Sequence, residues 1–203
     1  MNIALQGRRI AILATDGVEQ SELEQPRRAL DDAGATTHLI APTDGSIQAM
    51  NHEEHGSRIP VDRTLAEARP GDYDALLLPG GVANPDLLRM NEHAVQFVRE
   101  FMLADKPVAA ICHAPWMLVE ADAVAGRTLT SWPSLQTDIR NAGGKWVDEE
   151  VRIDHRLITS RKPKDLPAFC AAIVREFARQ VESPEVEAAH SAADAEVAPR
   201  FAV

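Results

Sequence analysis

Four short runs, three of them almost wholly apolar and the other (36–41) half so, each cut off by turn chemistry, constrain this chain more than any other feature. They occupy residues 9–14 (RIAILA), 36–41 (TTHLIA), 75–78 (ALLL) and 107–111 (PVAAI). Short apolar runs without polar alternation read as strands buried on both faces, the habit of parallel sheets. Helical patterns separate them. One covers residues 19–33 and is stopped by Gly34; another covers 91–104, with Ala94, Val95, Val98, Phe101 and Met102 on one face. Strand and helix in alternation predict an α/β fold, a mostly parallel central sheet between two helix layers.

The rest of the chain is read in the same way. Pro26 falls inside the first helix and predicts a kink or an early break. Residues 43–72 form a polar excursion with a short strand pair near 47–50 and 58–61. Helices are expected over 115–123, 133–142 and 166–181, with strands over 128–130, 147–153 and 157–159. Residues 1–182 make one α/β domain. Residues 183–203, acidic and Ala-rich with few large apolar side chains, read as a tail or a docked arm.

Composition removes several classes of function. Of 203 residues, 45% are hydrophobic, enough for a sizeable core, yet only 4% are aromatic. With 21 Lys and Arg against 31 Asp and Glu the formal net charge is −10, which repels phosphate backbones and argues against a nucleic-acid partner. No apolar run approaches the roughly 18–20 residues that cross a bilayer. Two cysteines, Cys112 and Cys170, provide neither a disulfide framework nor a four-cysteine metal centre. A soluble, cytoplasmic protein with no metal and no cofactor is the expectation.

Candidate chemistry gathers at strand ends. In PVAAICHAP a buried strand delivers Cys112 to a sharp turn, and Pro115 opens a helix. Open α/β sheets bind ligands at that carboxyl edge, and a strand-to-helix turn is the form of a nucleophile elbow. The helix N-terminus is expected to favour thiolate, and the His113 N–H to face an oxyanion formed by attack of Cys112. Cys170, among Phe169, Ala171 and Ile173, reads as a buried structural thiol. In LLLPGG, Gly80 and Gly81 hold the same position on another strand and offer a second N–H donor; Asp86 follows in what reads as a loop over that edge. Asp16, Glu19 and Glu22 cluster after the first strand. Glu19 reads as ordinary helix-dipole complementation, whereas Glu22, if turned inward, must keep a proton beside a thiolate. The NHEEH stretch, residues 51–55, lacks the helical HExxH arrangement, and His38, His93, His155 and His190 show no ligand spacing.

RIAILATDGVEQSELEQP, IPVDRTL, DALLLPGG, VAAICHAP, GRTLTSWPSLQTDIRNAGG and ITSRKPKDLPAF, in that order, resemble the ThiJ/PfpI superfamily. These are class I glutamine amidotransferase-like proteins, and the likeness is strongest to the PfpI intracellular protease and general stress protein branch. The resemblance implies a flavodoxin-like three-layer sandwich and a homodimer or higher homo-oligomer. It implies Cys112 as nucleophile, His113 as base, Asp86 as an acid reaching the histidine from the adjacent subunit, and Glu22 bonded to the sulfur. Gly81 and the His113 amide match the oxyanion donors, with Gly80 beside them in the pocket. Ala114 and Trp116 depart from the commoner Gly and Gln; Trp116 adds bulk beside the pocket and puts peptide hydrolysis in doubt. Small carbonyl or peptide substrates, turned over by peptidase, amidase, or glyoxalase and deglycase chemistry, are implied. A redox-sensing stress protein that oxidises Cys112, and a holdase chaperone, stand as alternatives.

Overall fold

A computed structural model describes residues 4–179. In chain order the strands are β1 (Arg9–Leu13), β2 (Val18–Glu19), β3 (Thr36–Ala41), β4 (Ser46–Asn51), β5 (Glu54–Pro60), β6 (Arg63–Thr64), β7 (Ala75–Leu78), β8 (Val108–Ile111), β9 (Thr128–Leu129), β10 (Lys145–Trp146), β11 (Val151–Asp154) and β12 (Leu157–Ser160). The helices are α1 (Gln20–Asp32), α2 (Ala83–Arg89), α3 (Glu92–Leu103), α4 (Pro115–Glu120), α5 (Gln136–Asn141) and α6 (Leu166–Ala178).

Seven strands form the central sheet in the order β11-β12-β8-β7-β1-β3-β6, and only β11 runs antiparallel to its neighbour. Successive side chains of a strand point to opposite faces, so a strand buried on both sides must be apolar throughout. In β1, Ile10 and Ile12 join one core with Leu23 and Leu30 of α1 and Phe169 and Ile173 of α6. Ala11 and Leu13 join the other, with Val98 and Phe101 of α3 and Leu118 of α4. The result is the three-layer, flavodoxin-like α/β sandwich the sequence predicts. The strand order reverses beside β1, which has β3 on one side and β7 on the other, and this opens a crevice at the carboxyl edge.

Several expectations need correction. Helix α1 runs unbroken through Pro26, which is buried and costs a single rung of the hydrogen-bond ladder. Asp86 lies in a helix, not a loop: Pro85 falls in the first turn of α2, where a missing N–H costs nothing. The helix after Cys112 ends at Glu120 rather than residue 123, and the expected helix over 133–142 divides into a 3-10 turn (Pro133–Leu135) and α5. Likewise 147–153 is not one strand: β10 and β11 flank an irregular stretch. Strands β4 and β5 pair as an antiparallel hairpin, with β2 added alongside β4. Among the described residues no helix is long and apolar enough to cross a membrane. The expected tail, 183–203, lies outside the described residues.

Candidate active site

Cys112 follows the last residue of β8 with φ +63°, a left-handed conformation that costs a side-chain-bearing residue about 1–2 kcal/mol. The surroundings enforce it. The Cys112 N–H donates to the Ser160 carbonyl (3.1 Å), continuing the β8–β12 ladder, while its carbonyl accepts from the Trp132 N–H (2.8 Å). Ala114 N–H then closes a turn onto the Ile111 carbonyl (3.0 Å), and Pro115 starts α4. Strain of this kind, over-determined by neighbours, marks a position where the direction of one side chain matters.

His113 stands beside the sulfur, its Nδ1 3.3 Å from Sγ, and its Nε2 lies 3.4 Å from Ser134 Oγ. The ring stacks on Trp132 (centroids 5.7 Å, planes 24° apart) and meets Trp116 at 5.3 Å on a tilted face. Burial holds the imidazole below its ordinary pKa, so it is neutral and able to accept a proton at pH 7.

Glu22, in the first turn of α1, is wholly buried and points at the same place. Neither of its carboxyl oxygens has a hydrogen bond of good geometry; the groups within electrostatic reach are the Cys112 thiol and the Gly80 and Gly81 amides. Burial, reinforced by the Glu19 charge, raises its pKa from 4.5 to about 8, so the carboxyl is protonated at neutral pH. Glu19 is itself buried rather than solvated at the helix start. Its carboxylate accepts from the Ser21 hydroxyl (3.1 Å) and the His52 N–H (3.0 Å).

The expected depressed thiol is not what these surroundings favour. Burial dominates and pushes Cys112 up, and a charged Glu22 would push it further; the His113 and Gly81 N–H groups pull the other way. Because Glu22 keeps its proton at neutral pH, its charge is absent there, and burial of the sulfur still outweighs the two amides. The resting group is a thiol whose proton has one basic neighbour, His113.

The glycine turn is held against the elbow. A Cβ on Gly80 would meet Glu22 Oε2 and Cys112 Cβ, and one on Gly81, at φ +84°, would meet the Gly17 carbonyl. Buried Asn84 fixes this turn: its Nδ2 donates to the Pro79 and Gly80 carbonyls (2.9 and 3.0 Å), while its Oδ1 accepts from Thr15 N–H (2.8 Å).

The structure therefore brings together Cys112, His113, Glu22, Gly80 and Gly81, with Trp116 at the wall. Trp116 is fixed by its indole N–H, which donates to Asp138 (2.9 Å). Asp86 is not brought in: it is exposed on α2 and makes no hydrogen bond to His113 within the chain. Sequence reasoning missed Asn84, Trp132 and Ser134. For the last two the signal is SWPS, a second turn sequence that follows a short strand, β9, outside the central sheet. His52 and His55 sit exposed in the β4–β5 hairpin, and no group of His, Cys, Asp and Glu suited to a metal ion occurs among the described residues. Cys170 is half-buried in α6, where burial raises its thiol to about 11.

Comparison with known proteins places this geometry. The DJ-1/PfpI family model matches residues 8–176. "Protein/nucleic acid deglycase 2" of Escherichia coli is 40% identical over 163 residues, 80% of this chain and 93% of that protein. "Putative cysteine protease YraA" of Bacillus subtilis is 37% identical over 162 residues, 80% of this chain and 94% of that one. Drosophila melanogaster DJ-1beta superposes with a TM-score of 0.77 at 25% identity, covering 95% of this chain and 99% of its own. Sequence motifs, sheet topology and relatives agree: the chain belongs to the DJ-1/PfpI family.

Proposed function

We propose that this protein is a cysteine-dependent enzyme acting on small reactive carbonyl compounds, 2-oxoaldehydes and their adducts with amines. The observation that carries the reading is the thiol of Cys112, 3.3 Å from a neutral imidazole, with the His113 and Gly81 amides acting on its sulfur. Low exposure supports a small substrate over a peptide, since Cys112 and His113 are only 7% and 8% exposed and the His113 ring is flanked by Trp116 and Trp132. The name of the Escherichia coli relative points to the same chemistry.

In this reading His113 Nδ1 takes the thiol proton as sulfur bonds to the aldehyde carbon. The carbonyl π pair moves to oxygen, where the Gly81 and His113 N–H groups receive it. Return of the proton gives a hemithioacetal. His113 then carries the hydrogen of that carbon to the adjacent carbon, leaving a thioester beside a new hydroxyl. Water cleaves the thioester, restoring the thiol and releasing a 2-hydroxy acid. Oxidation of one carbon balances reduction of its neighbour, so no outside oxidant enters. Glu22, protonated, donates to the sulfur whenever it carries charge.

Methylglyoxal added to the protein should yield lactate, seen by proton NMR, at a rate proportional to protein concentration. An absence of lactate together with no transient mass gain on Cys112 would overturn the reading.

The active unit in this reading is a homodimer. Val82, Leu87 and Met90 (73% exposed) give α2 an apolar outer face around Asp86, an arrangement that favours covering by a second copy. Light scattering should give twice the mass of one chain; a monomer at micromolar concentration would refute this.

A further inference from the structure

A histidine that must take a proton through Nδ1 has to carry its own hydrogen on Nε2, and something must hold it in that tautomer. Among the described residues the His113 ring has two polar partners: Cys112 Sγ at Nδ1 and Ser134 Oγ at Nε2. We propose that Ser134 is a positioning residue of the proton transfer, accepting a hydrogen bond from His113 Nε2–H so that the bare Nδ1 faces the thiol. This deepens the reading of the site given above and rests on it.

The placement of Ser134 is built rather than incidental. Its turn is tied to the elbow by the Trp132 N–H, which donates to the Cys112 carbonyl at 2.8 Å. Pro133 starts the 3-10 turn, Leu135 anchors it in the core, and the Leu135 N–H closes onto the Trp132 carbonyl at 3.1 Å. Trp132, stacked 24° from the ring plane, limits the tilt of His113 and keeps Nε2 directed at the hydroxyl. One segment therefore supplies both the stacking surface and the hydrogen-bond acceptor.

The direction of the bond follows from the thiol. A resting S–H needs a nitrogen lone pair, which assigns the hydrogen to Nε2 and makes Ser134 the acceptor. After the transfer both ring nitrogens carry hydrogen, and Ser134 is an acceptor still. The hydroxyl thus serves both protonation states without turning, and it favours the imidazolium once formed. Ionisable groups on the elements packed around the ring include Cys112 itself, Glu22 on α1, Asp86 and Arg89 on α2, Glu120 on α4, which pairs with Arg89 at 3.1 Å, and Asp138 and Arg140 on α5. Arg89 and Asp138 are each engaged with Trp116.

The test compares Ser134→Ala and Ser134→Thr with the parent protein. Ser134 is exposed apart from this contact, so neither change disturbs the core. In 15N-labelled protein the His113 signals should show hydrogen on Nε2 in the parent, a mixture of tautomers in Ser134→Ala, and the parent pattern again in Ser134→Thr. That measurement needs no turnover, so it stands even where the proposed substrate fails. On methylglyoxal, Ser134→Ala should lower kcat about tenfold with little change in KM. The acidic limb of its kcat/KM profile should move to lower pH, because the imidazolium has lost an acceptor, and Ser134→Thr should restore it. A parent-like tautomer in Ser134→Ala overturns the proposal. So does an acidic limb that Asp86→Asn moves and Ser134→Ala leaves in place.

Discussion

Replacing Cys112 with serine is expected to cut kcat/KM on 2-oxoaldehydes by at least ~10³-fold, about 4 kcal/mol of transition-state stabilisation. The size follows from the chemistry of the attacking atom. A hydroxyl gives up its proton far less readily than a thiol, and a neutral, buried His113 is too weak a base to force it. The fold should be indifferent, because serine fits the same left-handed elbow and the two backbone bonds that fix it remain. Cys170→Ser is the control: that thiol sits in α6 beside Ala29 of α1 and Ala33 just past its end, away from the elbow, and turnover should be unchanged. The comparison is made with initial rates on methylglyoxal and near-ultraviolet circular dichroism to verify packing. Full turnover in Cys112→Ser would remove the sulfur from the chemistry. Holdase action, which needs only exposed apolar surface, would survive the substitution, so one variant separates these two kinds of function.

The second large effect is on stability rather than rate. Glu22 is held at a pKa of about 8 in the folded chain, against the ordinary 4.5 of a solvated glutamate. Between those values the folded protein binds a proton that the unfolded chain releases. Stability from this group is therefore fully present below pH 4.5 and drains away as pH rises through 8. The whole swing is on the order of 3–5 kcal/mol. Glu22→Gln removes the titration while keeping shape and a donor. Its unfolding free energy should gain on that of the parent steadily from pH 5 to pH 8.5, by several kcal/mol at the upper end. Urea titrations of both proteins at five pH values measure this. Curves that stay parallel across the window would mean that the carboxyl is already ionised, and that it repels rather than assists the sulfur.

How much of this was legible in the sequence depends on the range of the interaction. The strands that carry the site announce themselves, since burial on two faces leaves only apolar residues in β7 and β8 and in β1 after its exposed first residue, Arg9. Cys112 and Gly80-Gly81 follow from the turn chemistry that ends those strands. Two-residue strands such as β2 and β6 have no period to detect; they exist because a neighbour offers hydrogen bonds. Pro26 misled because its helix is braced by tertiary packing, and packing outweighs one lost rung. Glu19 misled because a residue opening a helix is usually wet, and here β4 and its hairpin close over it. Trp132 and Ser134 act on His113 across some twenty positions through a docked turn, and local pattern carries no trace of such a contact. Ionisation was the hardest to read. A helix end argues for thiolate, yet α4 is a six-residue helix and burial of the sulfur outweighs it.

Strands β7 and β8 are direct parallel neighbours in the sheet, so the elbow that ends one and the glycine turn that ends the other are set side by side, their strands about 4.8 Å apart. Main-chain bonding between the two strands, not side-chain packing, keeps that measure. The reactive pair can therefore ride unchanged through wholesale replacement of the segments above it. New ligands are open to such a scaffold by trading the aromatic canopy for other loops, and selection need never re-solve how the thiol's elbow stands against the glycine turn.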